Sequence, residues 1–282
     1  MNCTKAIIPV AGYGTRRLPV AKAIEKCMLP LLNRPIIDYV VQDCVRAGIT
    51  DIYFVVSEGA QLKRFYERDL SLEEYLKQTG KEALVDQIMP PENVRFHYVH
   101  QNTDVDPRYG TTVPVWLAAH EAVAPDIDEH ILVVMGDQCI YRADGGSEVA
   151  DLIEQVEQAG TDCGMVAVEV PRELVSNYGI VEQDAQGNFV KIWERPSIEE
   201  APSNLNNASM YLFDKEMFAR IEEYMQRPAT SGEYEIVDPI NSYVADGHTF
   251  YVAKARGKYL DCGTVEGWVQ ANNWLLERRY LK

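Results

Sequence analysis

The sequence predicts an α/β fold in which a mixed, mainly parallel sheet is covered by helices on both faces and a smaller lobe is added in the second half. Three observations carry this. Through the first 140 or so residues, short apolar runs of strand length alternate with segments of helical period, and repeated β-α-β units imply a parallel sheet with helices on both faces. From about residue 147 onward the strand candidates are joined by short, hairpin-like connections. At 282 residues and 46% apolar composition, the chain can bury a full core as one domain. One domain over 1–282 is therefore expected, with halves at about 1–146 and about 147–263 and a C-terminal helix at about 264–282.

"AIIPV" (6–10) is a short apolar strand, and a glycine-bearing loop over 11–30 follows it. "PIIDYVVQDCVRAGI" (35–49) has apolar residues at helical spacing, with Gly48 as a stop. "DIYFVVS" (51–57) is a continuous apolar run, as in a buried parallel strand. A long polar helical stretch is expected over about 59–88, then a strand at 94–101, a helix after Gly110 and a strand at 130–138. In the second half, 163–170, 178–183, 189–196 and 208–214 read as strands, with "DAQGN" (184–188) as a hairpin turn. Helical segments near 215–226, 235–246 and 264–279 close the chain.

A formal net charge of −16 argues against a nucleic-acid or anionic-membrane surface, since both need a broad basic face. Six scattered cysteines, with no C-x-x-C pair, fit buried free thiols in a reducing cytosol better than disulfides or zinc. The N-terminus carries only five consecutive apolar residues before a glycine, which fits neither a signal peptide nor a membrane span, so a cytoplasmic location is expected. His97 and His100 lie three apart on a strand, on opposite faces, and do not read as a shared metal site.

In such an acidic chain, the loop after the first strand gathers Arg16, Arg17, Lys22 and Lys26 with Glu25 as its only acid. A dinucleotide fingerprint would need a third glycine where Arg17 stands, and no P-loop pattern occurs. What remains is a glycine turn whose N–H groups can approach phosphates, plus four cations to neutralise them. Basic loops more often pair with neighbouring acids. The position at a strand's C-terminal end favours an anion site, because α/β sheets bind ligands there.

Taken together, "AGYGTRRLPVAKAIEKCMLPLLNRPIIDYVV" (11–41) resembles the signature of sugar-1-phosphate nucleotidylyltransferases, in particular the bacterial UTP-glucose-1-phosphate uridylyltransferases, through "GTR", "LP", "KAI", "K" and "MLP" in order. The resemblance continues through Gln101, "YG" (109–110), "GDQ" (136–138), "NYGIVE" (177–182), "ERP" (194–196), "APSNL" (201–205) and "YLDCG" (259–263). It implies the Rossmann-like nucleotide-diphospho-sugar transferase fold, with a nucleotide-binding half and a small sugar-binding lobe. The implied reaction is Mg²⁺-dependent nucleotidyl transfer from UTP to glucose 1-phosphate, giving UDP-glucose and pyrophosphate.

By the same resemblance, Arg16 and Lys26 are the catalytic cations on the triphosphate. Ala11, Gly12, Gly14, Thr15, Gln101 and Gly110 bind the nucleotide, and Asp137 and Asp261 hold Mg²⁺. Gly179, Glu194 and Arg195 bind the sugar phosphate. A homo-oligomer, dimer or tetramer, is expected, with no nucleic-acid or membrane partner. The chain departs from the family pattern at Arg17, often apolar there, at Glu25 and Cys27, usually proline and glutamate, in "TTVPV" (111–115), and at Arg195, usually lysine. "GEYEIVDPINSY" (232–243) and "YLDCGT" look more like thymidylyltransferases of glucose 1-phosphate. The alternatives are thus a dTTP-dependent enzyme, or a regulatory paralogue that binds nucleotide sugar with little or no turnover.

Overall fold

The computed structural model describes residues 1–57, 59–123, 130–229 and 232–280. The first half contains β1 (Lys5–Pro9), β2 (Pro30–Leu31), β3 (Arg34–Pro35), α1 (Ile36–Arg46), β4 (Asp51–Val56), α2 (Ala60–Tyr66), α3 (Leu70–Gln78), β5 (Arg95–His100), α4 (Thr112–Ala118), β6 (Ile131–Val134) and β7 (Gln138–Tyr141). The second half contains α5 (Glu148–Ala159), β8 (Cys163–Glu169), β9 (Gly179–Gln183), β10 (Phe189–Glu194), β11 (Leu205–Phe213), α6 (Lys215–Met225), α7 (Val237–Ala245), β12 (Phe250–Lys254), β13 (Lys258–Asp261) and α8 (Val265–Tyr280).

A nine-stranded sheet organises the molecule. Strands β5, β4, β1 and β6 are mutually parallel. Successive residues of a strand point to opposite faces, and here both faces are covered. Ala6 and Ile8 of β1 join a core with Ile36, Val40 and Leu152 of α1 and α5, while Ile7 faces Val113, Met217 and Ile240 of α4, α6 and α7. That two-sided burial is why β4 is apolar almost throughout and buried at every position.

From β1 the chain goes to β4 on one side, whereas β6 lies on the other, so the strand order reverses between β1 and β6. Ligands of open α/β sheets bind in the crevice outside the carboxyl ends of the strands at such a point. β11 then runs antiparallel to β6, with Met210 opposite Val134, so residues 205–209 project beyond the end of β6. There Asn206 pairs with Ile180 of β9, after an irregularity that places Ser209 at φ 52. The β9–β10 hairpin is thereby held at the mouth of the crevice. A separate ribbon pairs β7 with β13, setting Gln138 opposite Asp261.

The structure corrects the expected elements in three places. The stretch 59–88 is not one long helix but α2, α3 and a 3-10 turn at Glu82–Gln87. Asp69 caps α3 by accepting a hydrogen bond from the Leu72 N–H at 3.0 Å, and Gly80 at φ 69 follows its end. The strand expected over 130–138 ends at Val134 and resumes as β7 at Gln138, with Asp137 in the turn between. Helix α5 and strand β12 were not expected at all; β12 adds parallel to β8 and closes that edge. All six cysteines are free and buried. Among the described residues no helix is long and apolar enough to cross a membrane.

Candidate active site

After β1, Val10 extends the ladder by donating to the Val55 carbonyl at 2.8 Å. Residues 11–28 then cross the strand ends as three 3-10 turns, Thr15–Arg17, Val20–Lys22 and Lys26–Met28. Gly14 opens the first at φ 65 and ψ 38, a left-handed conformation that side chains disfavour. A Cβ at Gly12 would lie 3.1 Å from Lys26 Nζ, and one at Gly14 only 3.0 Å from Lys26 Cβ. The two glycines therefore leave a corridor through which the Lys26 side chain runs to the end of β6.

There Lys26 Nζ meets Asp137 Oδ2 at 2.9 Å. Arg17 stands behind, with its guanidinium 3.8 Å from the same oxygen. Burial raises the cost of charging Asp137, but Lys26, Arg17 and Arg16 outweigh it and hold the carboxyl below its ordinary range. Glu25 does not neutralise the loop. Its carboxylate accepts the Gln61 N–H of α2 at 2.8 Å, and Gln61 Oε1 accepts the Glu25 N–H at 2.9 Å.

Asp261 ends β13 opposite Gln138, the residue that follows Asp137. Its Oδ1 accepts from Gly263 N–H at 2.8 Å and its Oδ2 from the Tyr178 hydroxyl at 2.9 Å. Burial and the neighbouring Asp261 push the Tyr178 phenol well up, so it remains a donor. The Arg16 guanidinium lies beside Gly263, 3.4 Å from where a Cβ would stand. Arg16, Tyr178, Arg195 and Asp261 together line a cleft of about 920 Å³ that reaches α8.

On the neighbouring hairpin Glu194 sits opposite Gly179 in the β9–β10 ladder. A Cβ at Gly179 would come within 3.1 Å of Glu194 Oε2, so glycine leaves room for the carboxylate. Arg195 takes a left-handed turn at φ 47 and pairs with Glu194 at 3.2 Å. Burial pushes the Glu194 carboxyl up, Arg195 opposes this, and Glu233 and Asp238 add to it. Glu235 is raised to about 7 by burial, then by Glu233 and Glu194.

Gln101 follows β5 and donates its N–H to the Val56 carbonyl at 2.8 Å. Gly110 at φ 128 is clamped from the second half. Tyr234 N–H donates to the Tyr109 carbonyl at 2.9 Å, and Thr112 N–H donates to the Tyr234 carbonyl at 2.9 Å. A Cβ at Gly110 would lie 2.4 Å from the Tyr234 oxygen, so this glycine is fixed by backbone packing.

Of the residues singled out from sequence, Gly12, Gly14, Arg16, Lys26, Asp137 and Asp261 converge at the β1–β6 crevice, with Ala11 and Thr15 on the same loop. Gly179, Glu194 and Arg195 form a second group on the hairpin. Gln101 and Gly110 lie at the ends of other elements, after β5 and before α4. Sequence reasoning missed three features: the burial of Arg17, the Tyr178 contact to Asp261, and the Glu235 link to Thr111, whose hydroxyl lies 3.4 Å from its carboxylate. The tyrosine was visible as the residue before Gly179; the other two had no local signal.

A nucleotidyl transferase family model matches residues 5–278. The chain belongs to this nucleotidyl transferase family. It is 32% identical to the UTP–glucose-1-phosphate uridylyltransferase of Pseudomonas aeruginosa, over 98% of this chain and 97% of that one. It is also 32% identical to the enzyme of the same name from Escherichia coli K12, over 95% and 88% respectively. Among solved structures, the UTP-bound UGPase of Acinetobacter baumannii superposes with a TM-score of 0.85 at 27% identity, covering 99% of this chain and 95% of that one. A UDP-glucose pyrophosphorylase complexed with UDP-glucose gives 0.80 at 25% identity, covering 99% and 100%.

Proposed function

We propose that this chain catalyses Mg²⁺-dependent transfer of a uridylyl group from UTP to glucose 1-phosphate. A phosphate oxygen of glucose 1-phosphate attacks the α-phosphorus of UTP in line, the bond from that phosphorus to the bridging oxygen of the β-phosphate breaks, and pyrophosphate leaves. The observation that carries this reading is the Lys26–Asp137 pair at the mouth of the β1–β6 crevice, a movable cation beside a held carboxylate. The uridylyltransferase relatives at 32% identity over nearly the whole chain support the choice of UTP and glucose 1-phosphate.

The roles follow from the chemistry of each group. Lys26 and Arg16 hold the triphosphate and offset the charge that develops on the departing pyrophosphate. Backbone N–H groups from Gly12 to Thr15 approach the phosphates. Ala11, Gly12, Gln101 and Gly110 frame the uracil. Glu194 accepts hydrogen bonds from glucose hydroxyls, Gly179 lets the ring come close, and Arg195 takes the sugar phosphate.

Asp137 and Asp261 fit a hard divalent cation. Among the described residues no three His, Cys, Asp or Glu side chains converge as a protein-only metal site, and Mg²⁺ takes one or two carboxylates with phosphate oxygens and water completing its shell. When bound, Mg²⁺ screens phosphate charge and polarises the α-phosphoryl group. A cytoplasmic location and a dimer or tetramer belong to the same proposal; the six buried free thiols suit a reducing compartment.

The test is pyrophosphate release with glucose 1-phosphate and either UTP or dTTP, with and without Mg²⁺. Release with UTP and Mg²⁺ is expected. A preference for dTTP would make the chain a thymidylyltransferase, and tight UDP-glucose binding without release would make it a non-catalytic paralogue.

A further inference from the structure

Two cations face Asp137, and they differ in kind. The Lys26 side chain retains 18% of its surface and ends in a flexible ammonium; the Arg17 side chain retains 3%. Arg17 Nη1 donates to the Lys26 carbonyl at 3.2 Å and Nη2 to the Asp137 carbonyl at 3.5 Å, while its buried Nε has no partner. The guanidinium thus bridges the backbone of the 11–28 loop to the turn after β6. A charged group sealed inside with one donor unmatched is a poor way to fill space, since an apolar side chain of similar volume serves packing as well or better. Its value must lie elsewhere.

We propose that Arg17 is a positioning residue for the transfer step: it holds the Asp137 carboxylate, and the loop beside it, when Lys26 leaves for the triphosphate. The inference rests on the reading of Lys26 given above. In the resting protein Asp137 has its closer partner in Lys26. Once Lys26 turns to phosphate oxygens, the cation proposed for Asp137 balances its charge but does not fix the turn that carries it, and only a tie from the protein keeps that carboxylate in register with the loop. Arg17 has no open path to substrate and stays. Its two backbone ties keep the Lys26 main chain fixed while the side chain moves, and transfer chemistry is sensitive to displacements of about 1 Å.

Arg17→Met and Arg17→Lys are compared with Lys26→Ala by thermal melts and by kinetics in which UTP and glucose 1-phosphate are varied in turn. For Arg17→Met the melting temperature is expected to hold, because Asp137 keeps Lys26 in the resting state. The kcat is expected to fall about 10- to 100-fold. The glucose 1-phosphate KM should change by less than about twofold, since the sugar site is untouched. Arg17→Lys, which keeps the charge but loses the fork, should recover part of kcat.

A folded Arg17→Met with kcat within about twofold of wild type would overturn the proposal. So would losses of kcat that merely track the folded fraction. If Arg17→Met fails to fold, Arg17→Lys decides: a folded variant with depressed kcat supports the proposal, and one with wild-type kcat overturns it. Failure of both to fold would make Arg17 a packing residue, which also overturns it. Wild-type turnover in Lys26→Ala would instead place the failure in the reading of the active site.

Discussion

The two ends of the candidate site, the loop after β1 and the β9–β10 hairpin, are built from opposite charges. At the β1–β6 crevice, three basic residues of one loop surround the end of a single strand, and the nearby carboxylate is held ionised by them. On the β9–β10 hairpin and the start of α7, Glu194, Glu233, Glu235 and Asp238 crowd together with Arg195 as the cation that opposes them, and Glu194 and Glu235 are pushed toward the protonated form. The first end suits a highly charged anion, bound by fixed positive groups. The second suits a neutral ring rich in hydroxyls, for which carboxylates are acceptors. A chain with net charge −16 can therefore take two anionic substrates by placing local cations at the site, Arg16, Arg17 and Lys26 on one loop and Arg195 on the hairpin.

If that division is right, damage should sort by end and by size. Lys26→Ala should have the largest effect, lowering kcat by about 10²- to 10³-fold, the usual consequence of losing one group that stabilises developing charge. Asp137→Asn and Asp261→Asn should each raise the Mg²⁺ concentration needed for half-maximal rate, because each removes a hard ligand charge. Titrating Mg²⁺ against both variants checks this, and an unchanged requirement in both would break the pairing of the two ribbon ends.

Glu194→Ala should weaken glucose 1-phosphate by at least about tenfold, as a charge-assisted hydrogen bond is worth about 1.5–3 kcal/mol. UTP affinity should stay the same. A loss confined to UTP would merge the two ends. Arg195→Lys should give only a modest loss at saturating UTP, as a point charge replaces a planar fork.

The smallest effect concerns pH. The carboxyl of Glu235 is raised from 4.5 to about 7, so between those values the folded chain binds more protons than the unfolded one, and stability falls as pH rises through that window. Glu235→Gln removes this dependence. Its melting temperature should exceed that of wild type at about pH 8, by about 2–4 °C per kcal/mol, with the gain reduced by solvent screening of a half-exposed group. An identical pH dependence in the two proteins would show that the acidic end carries no repulsion.

Much of this was legible in the chain and some was not, for physical reasons. Strands buried on both faces, such as β4, announce themselves as continuous apolar runs, and the Lys26 loop is marked by its glycines and cations. The break between β6 and β7 falls at residues 135–137, where "GD" is a usable turn signal that the preceding apolar run "ILVV" overshadowed. Helix α5 had usable signals, Ser147 as a cap accepting from Ala150 N–H at 3.0 Å and Gly160 at its end, but they sit in a region of strand-like texture. β12 is placed by pairing with β8, nearly ninety positions earlier, which no local pattern encodes. The burial of Arg17 was illegible for the same reason: its partners, the Lys26 and Asp137 carbonyls, are fixed by the approach of a loop to a distant strand end. Gly110 shows the converse, a glycine noticed for its place in a motif and fixed by the backbone of Tyr234.

The most direct test of the central claim runs the reaction backwards. Wild-type protein and Lys26→Ala are each given UDP-glucose, labelled pyrophosphate and Mg²⁺, and labelled nucleotide is separated and identified. The account predicts labelled UTP with equimolar glucose 1-phosphate from the wild type, and almost none from Lys26→Ala even where that variant still binds UDP-glucose. No labelled UTP from a wild-type protein that binds UDP-glucose, or equal yields from the two proteins, would contradict it.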